Sequence, residues 1–195
     1  MNLNLYHDQG KWIMVDMGIT FDDTPGIEVV MPDITFLEEI KDDLLGLVLT
    51  HAHEDHYGAI QYLWTKVKCP IFATPFTAEM LKFKLKEAEI NPPLHVVPLG
   101  GGIDIGPFSI DFVNLTHSIP EPNALAIKTT KGTILHTGDW KIDPEPLVGH
   151  VTDEEKLKKL GKDGVLALVC DSTNVFDEGR SGSEAVIRQN LIELI

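Results

Sequence analysis

The chain has 195 residues, enough for one domain with a core of its own, and 43% of them are hydrophobic, as in an ordinary globular protein. Lys and Arg number 16 against 30 Asp and Glu, a formal charge of −14, which argues against binding nucleic acid or an anionic membrane unless metals or a local basic groove reverse the field. Cys69 and Cys170 lie far apart and form no disulfide framework, so a reducing cytoplasm is expected, and no stretch approaches a membrane span.

Short apolar runs open the chain. "LNLYH" and "KWIMVDMG", separated by Asp8-Gln9-Gly10, predict a two-stranded hairpin, and "GIEVVMP" a further strand. "DLLGLVLT", Asp43 to Thr50, is continuously apolar, the pattern of a strand buried on both faces, and it ends at His51. Gly58 to Lys66 has helical spacing. "CPIFATP" predicts another buried strand, and Thr74-Pro75 a helix start running to about Glu89, with Phe76, Met80, Phe83 and Ala88 on its apolar face.

"LHVVPL", "FSIDFVNLTH", "NALAIKTT" and "GTILHTGD" predict four more strands. "TDEEKLKKLG" predicts a polar helix with acidic residues in its first turn, where the macrodipole favours them. "VLALVCD" predicts a buried strand with Cys170 in the core, and "GSEAVIRQNLIELI" a helix reaching Ile195. An apolar helix at that position is expected to lie against more protein, so the sequence is read as the first part of a longer chain. The fold class is α/β (α+β), with two packed sheets flanked by helices rather than a strictly alternating parallel fold.

The densest chemistry is "LTHAHEDHYGAI", Leu49 to Ile60. Neutral imidazole is the commonest zinc ligand and carboxylate oxygen the next. His51 and His53, two apart at a strand end, are placed on one side by alternation. Asp55 and His56 follow at the turn into the next helix and can face a second ion, since two-metal hydrolases hold their ions roughly 3.5–4 Å apart. Two other strand ends deliver His117 from "NLTHS" and Asp139 from "LHTGDW". Asp16, closing "WIMVD", can orient a ligating imidazole from behind, and His136 lies three residues before Asp139.

Each has a plainer alternative. The first motif could be a solvated polar turn, His117 a satisfied half-buried histidine, Asp139 half of a Gly-Asp turn, and Asp16 a turn aspartate. The density of the first motif and the repeated pattern, an apolar run followed by a polar terminus, favour the metal reading. His7, His95 and His150 are expected to be structural or on the surface.

The T-H-x-H-x-D-H loop, His117 and "HTGDWKID" resemble the metallo-β-lactamase fold family, and "CDSTNVFDEGRSGSE", Cys170 to Glu184, is similar to the ribonuclease J branch of its β-CASP nucleases. The resemblance runs from about Leu3 onward. It implies an αββα sandwich that is incomplete here, with a metallo-β-lactamase-like domain over 1–170 and the start of a β-CASP segment over 171–195. It implies two divalent ions, zinc or else manganese, with His51, His53 and His117 on one, Asp55 and His56 on the other, and Asp139 bridging both. Asp55 and Asp139 are the catalytic carboxylates of that scheme, and Asp16, His136 and Asp171 stand behind the ligands. It further implies RNA cleavage in the cytoplasm, possible self-association and no membrane. Two departures accompany it: the family's Gly-rich stretch before "MNLNLY" is absent, and the insertion and the last histidine of the second metal site lie beyond Ile195 in the family. The alternatives are a hydrolase of a small thioester, lactone or lactam on the same fold, and a truncated domain without catalysis.

Overall fold

The computed structural model describes residues 1–179 and 181–195. In chain order the elements are β1 (Asn4–Asp8), β2 (Lys11–Val15), β3 (Thr20–Phe21), β4 (Val29–Val30), α1 (Thr35–Ile40), β5 (Leu44–Val48), α2 (Glu54–Tyr57), α3 (Ile60–Val67), β6 (Ile71–Ala73) and α4 (Pro75–Glu87). There follow β7 (Leu94–Val96), β8 (Gly102–Ile105), β9 (Phe108–Asn114), β10 (Asn123–Thr129), β11 (Gly132–His136), α5 (Glu154–Asp163), β12 (Ala167–Val169) and α6 (Glu184–Leu194).

Two five-stranded sheets carry the fold, in the orders β1-β2-β5-β6-β7 and β12-β11-β10-β9-β8. In the first, the β1–β2 hairpin is antiparallel and β2, β5, β6 and β7 run parallel. In the second, β8 to β11 are antiparallel and β12 joins parallel to β11. The strand expected in "GIEVVMP" is real but short: β4 pairs only with β3, in a separate ribbon.

The period-2 geometry of a strand divides each sheet's side chains between two cores. Ile13, Val15 and Val48 of the first sheet meet Phe108, Ile110, Phe112, Leu125 and Ile127 of the second. Met14 and Leu47, on the opposite face, pack with Leu37, Ile60, Leu63, Leu81 and Leu85 of α1, α3 and α4. Val113, Ala124 and Ala126 face outward from the second sheet onto Leu160 of α5. The layers are therefore helix, sheet, sheet, helix, as expected from the run of elements.

Three expectations need correction. The core face of α4 is Thr77, Ala78, Leu81 and Leu85, whereas Phe83 is 68% exposed and Met80 also lies open. Small residues in the first turn let that face approach the sheet, and the bulkier aromatic ends up outside. The segment "VLALVCD" does form β12, but it is an edge strand with Leu168 61% exposed and Cys170 on the surface. It pairs on one side only, and α5 covers β9 and β10 rather than β12. Finally, the stretch after His53 is not a turn: it is α2, a single helical turn that carries Asp55 and His56 itself.

Candidate metal centre

The site forms where strands of both sheets end. Asp16 follows β2, and its N–H continues the ladder by donating to Val48 O at 3.1 Å. The backbone then turns through a positive φ of 62° at Asp16, which aims a fully buried carboxylate toward the segment after β5. His51 lies three residues beyond the end of β5. His53 is the extended N-cap of α2, and Asp55 and His56 lie in that turn.

From the second sheet come His117, on the β9–β10 connection, and Asp139, after β11. That connection is pinned where it enters β10. Glu121 Oε2 accepts from Phe76 N at the start of α4 (2.8 Å), and Asn123 N donates to Thr50 O (3.1 Å). Asp139 is brought in by Gly138, whose φ is +58° and where an added Cβ would stand 3.0 Å from Thr50 Cβ. Only glycine suits both that conformation and that approach.

All six expected ligands converge. His51, His53, His117 and Asp139 each offer an atom within 4.8 Å of the others, and so do Asp55, His56 and Asp139. Asp139 lies between the two groups, with Oδ2 3.6 Å from His117 Nε2 and Oδ1 3.2 Å from His56 Nε2. His53 Nδ1 is flanked by His51 Nε2 at 3.0 Å and His117 Nε2 at 3.2 Å.

Hydrogen bonds behind the ligands set their tautomers. Thr50 Oγ1 donates to Asp16 Oδ2 (2.8 Å) and lies 3.0 Å from His51 Nδ1. A hydroxyl that has given its proton to a carboxylate can only accept from His51, so His51 carries its proton on Nδ1 and turns the Nε2 lone pair to the site. His56 Nδ1 donates to Asp16 Oδ2 at 2.7 Å, which likewise leaves Nε2 facing Asp55 and Asp139. Asp16 thus holds one imidazole of each group, one of them through Thr50.

The electrostatics divide the two groups. Burial pushes His51 down to about 3, and burial also lowers His53 and His117, so these three imidazoles are neutral at pH 7. Three converging neutral nitrogens cannot all be satisfied by one another, because the N–H of His53 serves one neighbour at a time. A cation satisfies all three lone pairs together, so the donor set fits a metal. Burial also works to lower His56, but Asp16, with hydrogen bonds to Asp139, Asp16 and Asp55, overcomes it and lifts the imidazole to about 12. The same bonds hold Asp55 and Asp139 below the ordinary carboxylate range.

The other two expected residues are hydrogen-bonded elsewhere. His136 is buried with Nδ1 2.7 Å from Tyr6 OH. The Asp171 carboxylate accepts from Thr173 N and Oγ1 at 2.9 and 2.6 Å, and its charge acts on His117. Sequence reasoning missed Thr50, Asn2 and Tyr6. Thr50 carried a signal, a hydroxyl immediately before His51 at a strand end; Asn2 and Tyr6 carried none, because their partners are 53 to 54 and 130 residues away.

Among curated proteins, ribonuclease J of Sinorhizobium meliloti is 48% identical over 203 aligned residues, spanning 100% of this chain and 36% of that protein. Ribonuclease J of Helicobacter pylori strain 26695 is 38% identical over 180 residues, 90% of this chain and 26% of that protein. The chain therefore spans about a third or less of these relatives. A crystal structure of a protein of unknown function from Enterococcus faecalis V583 superposes with a TM-score of 0.69 at 20% identity, covering 98% of this chain and 53% of that one. Zn(2+)-bound PqqB from Methylobacterium extorquens superposes at 0.52 with 10% identity, over 84% and 54%. The family model that matches describes the metallo-beta-lactamase superfamily and covers residues 2–169; the chain belongs to that superfamily.

Proposed function

We propose that this chain is the metal-binding part of a ribonuclease J-like phosphodiester hydrolase acting on RNA. The observation that carries the reading is the pair of donor groups joined at Asp139, in a chain 48% identical along its whole length to a ribonuclease J. His51, His53 and His117 would hold one divalent ion, Asp55 and His56 the other, and Asp139 both. Zinc suits the imidazole-rich group, and manganese is the next candidate for the carboxylate-rich one. When bound, such a pair supplies Lewis acidity toward a phosphoryl oxygen and lowers the pKa of water toward neutrality.

The chain's own groups provide the rest. The buried neutral imidazoles present lone pairs without first losing protons. Asp16 and Thr50 fix the ring orientations in advance, so little ordering is left for the moment of binding. Asp55, with its partly exposed carboxylate, would orient the attacking water, and Asp139 would serve both ions. Asp171 would act on His117 through its charge, and His136, bonded to Tyr6, would brace the two sheets beside the site. Divalent cations also answer the acidity of the chain locally, by adding positive charge where a phosphate must sit. The segment from Asp171 onward belongs, in this reading, to the start of a second, β-CASP-like unit.

The test is turnover by the metal-loaded chain of a labelled RNA, a chromogenic lactam and a thioester, each with and without chelator. RNA cleavage that chelator abolishes is expected. Turnover of lactam or thioester without RNA cleavage would assign a small-substrate hydrolase, and cation binding without any turnover would make this chain alone a non-catalytic domain.

A further inference from the structure

We propose that Asn2 is a positioning residue for the second cation, holding the Asp55 carboxylate in place beside His56 and Asp139. The inference rests on the two-cation reading above and adds a residue to it.

Asn2 grips Asp55 twice. Its backbone N–H donates to Asp55 O at 2.8 Å, and its side-chain Nδ2 lies 3.2 Å from that same oxygen and 3.2 Å from Asp55 Oδ2. Two of the three neighbours of Nδ2, the Asp55 oxygens, are acceptors only, and they turn the amide with its nitrogen, not its oxygen, toward the site. Asn2 is itself held, because its carbonyl accepts from Gly18 N at 2.9 Å. The neighbouring bonds Met17 N to His56 O (2.7 Å) and Ile19 N to Glu54 O (3.0 Å) dock α2 on the same strip of backbone.

The count of hydrogens supports the assignment. Nδ2 also lies 3.0 Å from His56 Nε2, which makes three neighbours for two hydrogens. Once Nε2 is occupied, by a proton or by a cation, it is no longer an acceptor. The two amide hydrogens then match Asp55 O and Asp55 Oδ2. A carboxylate has room for this, since its two oxygens offer about four lone-pair sites.

Asp55 is also the ligand in greatest need of such a hold. Its side chain is 43% exposed, against 28% for Asp139 and 2% for His56. It sits in a helix of four residues, where neighbouring turns give little restraint. The first group does not touch Asn2: His51 is held through Thr50, and His117 comes from the second sheet. Loss of the Asn2 amide is therefore felt by one ion only.

The experiment is calorimetric titration of the chelator-stripped full chain with Mn²⁺ and, separately, Zn²⁺, for the unsubstituted protein, Asn2→Ala and Asn2→Asp. The second ion is expected to bind about tenfold more weakly in both variants, the scale of losing a hydrogen bond to a ligand, with the first ion unchanged. Asn2→Asp keeps the shape of the side chain, removes the donor and sets a negative charge beside the Asp55 carboxylate, which loosens it further, so it carries the test if Asn2→Ala does not fold. Unchanged second-ion affinity in the folded variants overturns the proposal. So does tighter binding in Asn2→Asp, which would make an oxygen at this position a ligand. A single ion on the unsubstituted chain would bring down the two-cation reading itself, and is told apart because it appears before any substitution.

Discussion

Asp16 and His56, forty residues apart in sequence, meet through a 2.7 Å bond between Oδ2 and Nδ1, with both side chains almost wholly out of solvent. A buried carboxylate is tolerated only when it is paired and hydrogen-bonded, and Asp16 is satisfied from three directions, by His56 Nδ1, Thr50 N and Thr50 Oγ1. Asp16→Asn is expected to cost roughly 3 kcal/mol, because it leaves a buried charge without its counterpart. Asparagine also accepts the left-handed backbone found there, so the loss reports on charge and not on strain. Denaturant unfolding of the cation-free variant against the parent measures it. A loss below a few tenths of a kcal/mol would mean that the pair contributes nothing net.

The two donor groups should answer pH differently. His56, lifted to about 12 from 6.5, keeps a proton at neutral pH in the cation-free protein. Its pair stabilises the fold fully below the ordinary histidine range, and that contribution is lost as pH rises toward the folded value. A cation at Asp55, His56 and Asp139 has to displace this proton, so its affinity should rise about tenfold per pH unit above neutrality. His51, held near 3, and His53 and His117, which burial also lowers, are already neutral and have no ionising proton to lose, so their ion should bind with little pH dependence over the same interval. Titrations in buffers of different ionisation enthalpy count the protons released at each step. Equal release at both steps would contradict the division.

The candidate ligands were legible because strand ends concentrate them. His51, His53, Asp55 and His56 are contiguous, and His117 and Asp139 each terminate an apolar run, so periodicity alone placed all six on one rim. The layering was legible for a similar reason, since β9 and β10 alternate clearly between two faces. The missed features are those in which local pattern loses to tertiary contact. Phe83 looks like a core residue of α4 until Ala78, Leu81 and Leu85 prove to pack closer. β12 reads as a central strand because its composition is apolar, yet neighbours decide burial and it has one. β8, in the Gly-rich "GGIDIG", is only four residues long with glycines on both sides, and it is held by its partner β9.

Gly18 is a less obvious requirement of the site. A Cβ there would run into the backbone carbonyl of Asp55 and the amide of His56. Backbone cannot step aside as a flexible side chain does, so Gly18→Ala should either displace α2 or cost about 1–3 kcal/mol of overpacking strain. Both outcomes strike Asp55 and His56 first, reach His53 only as the N-cap of α2, and leave His51 and His117 in place. Metal analysis of the folded variant should give one ion where the parent gives two, with a lowered unfolding midpoint. Two ions at parental affinity would show that α2 adapts.

Tyr6 and His136 provide a contrasting case, a polar pair close to the site that touches no ligand atom. The phenol of β1 and the imidazole of β11 join the two sheets through the 2.7 Å bond, with the rings edge-on at 6.0 Å. Burial raises Tyr6 and lowers His136, so both are neutral and the bond is an ordinary one between uncharged groups. Tyr6→Phe removes the hydroxyl and little else, leaving a buried ring nitrogen without its partner at a cost of about 1–3 kcal/mol. Because the strut joins the sheets and makes no hydrogen bond to Asp16 or its imidazoles, the variant should lose stability and still bind both cations as the parent does. Parallel unfolding and metal titration separate the two effects. A weakened second ion in a fully folded Tyr6→Phe would move His136 from the frame of the protein into the shell that orients its ligands.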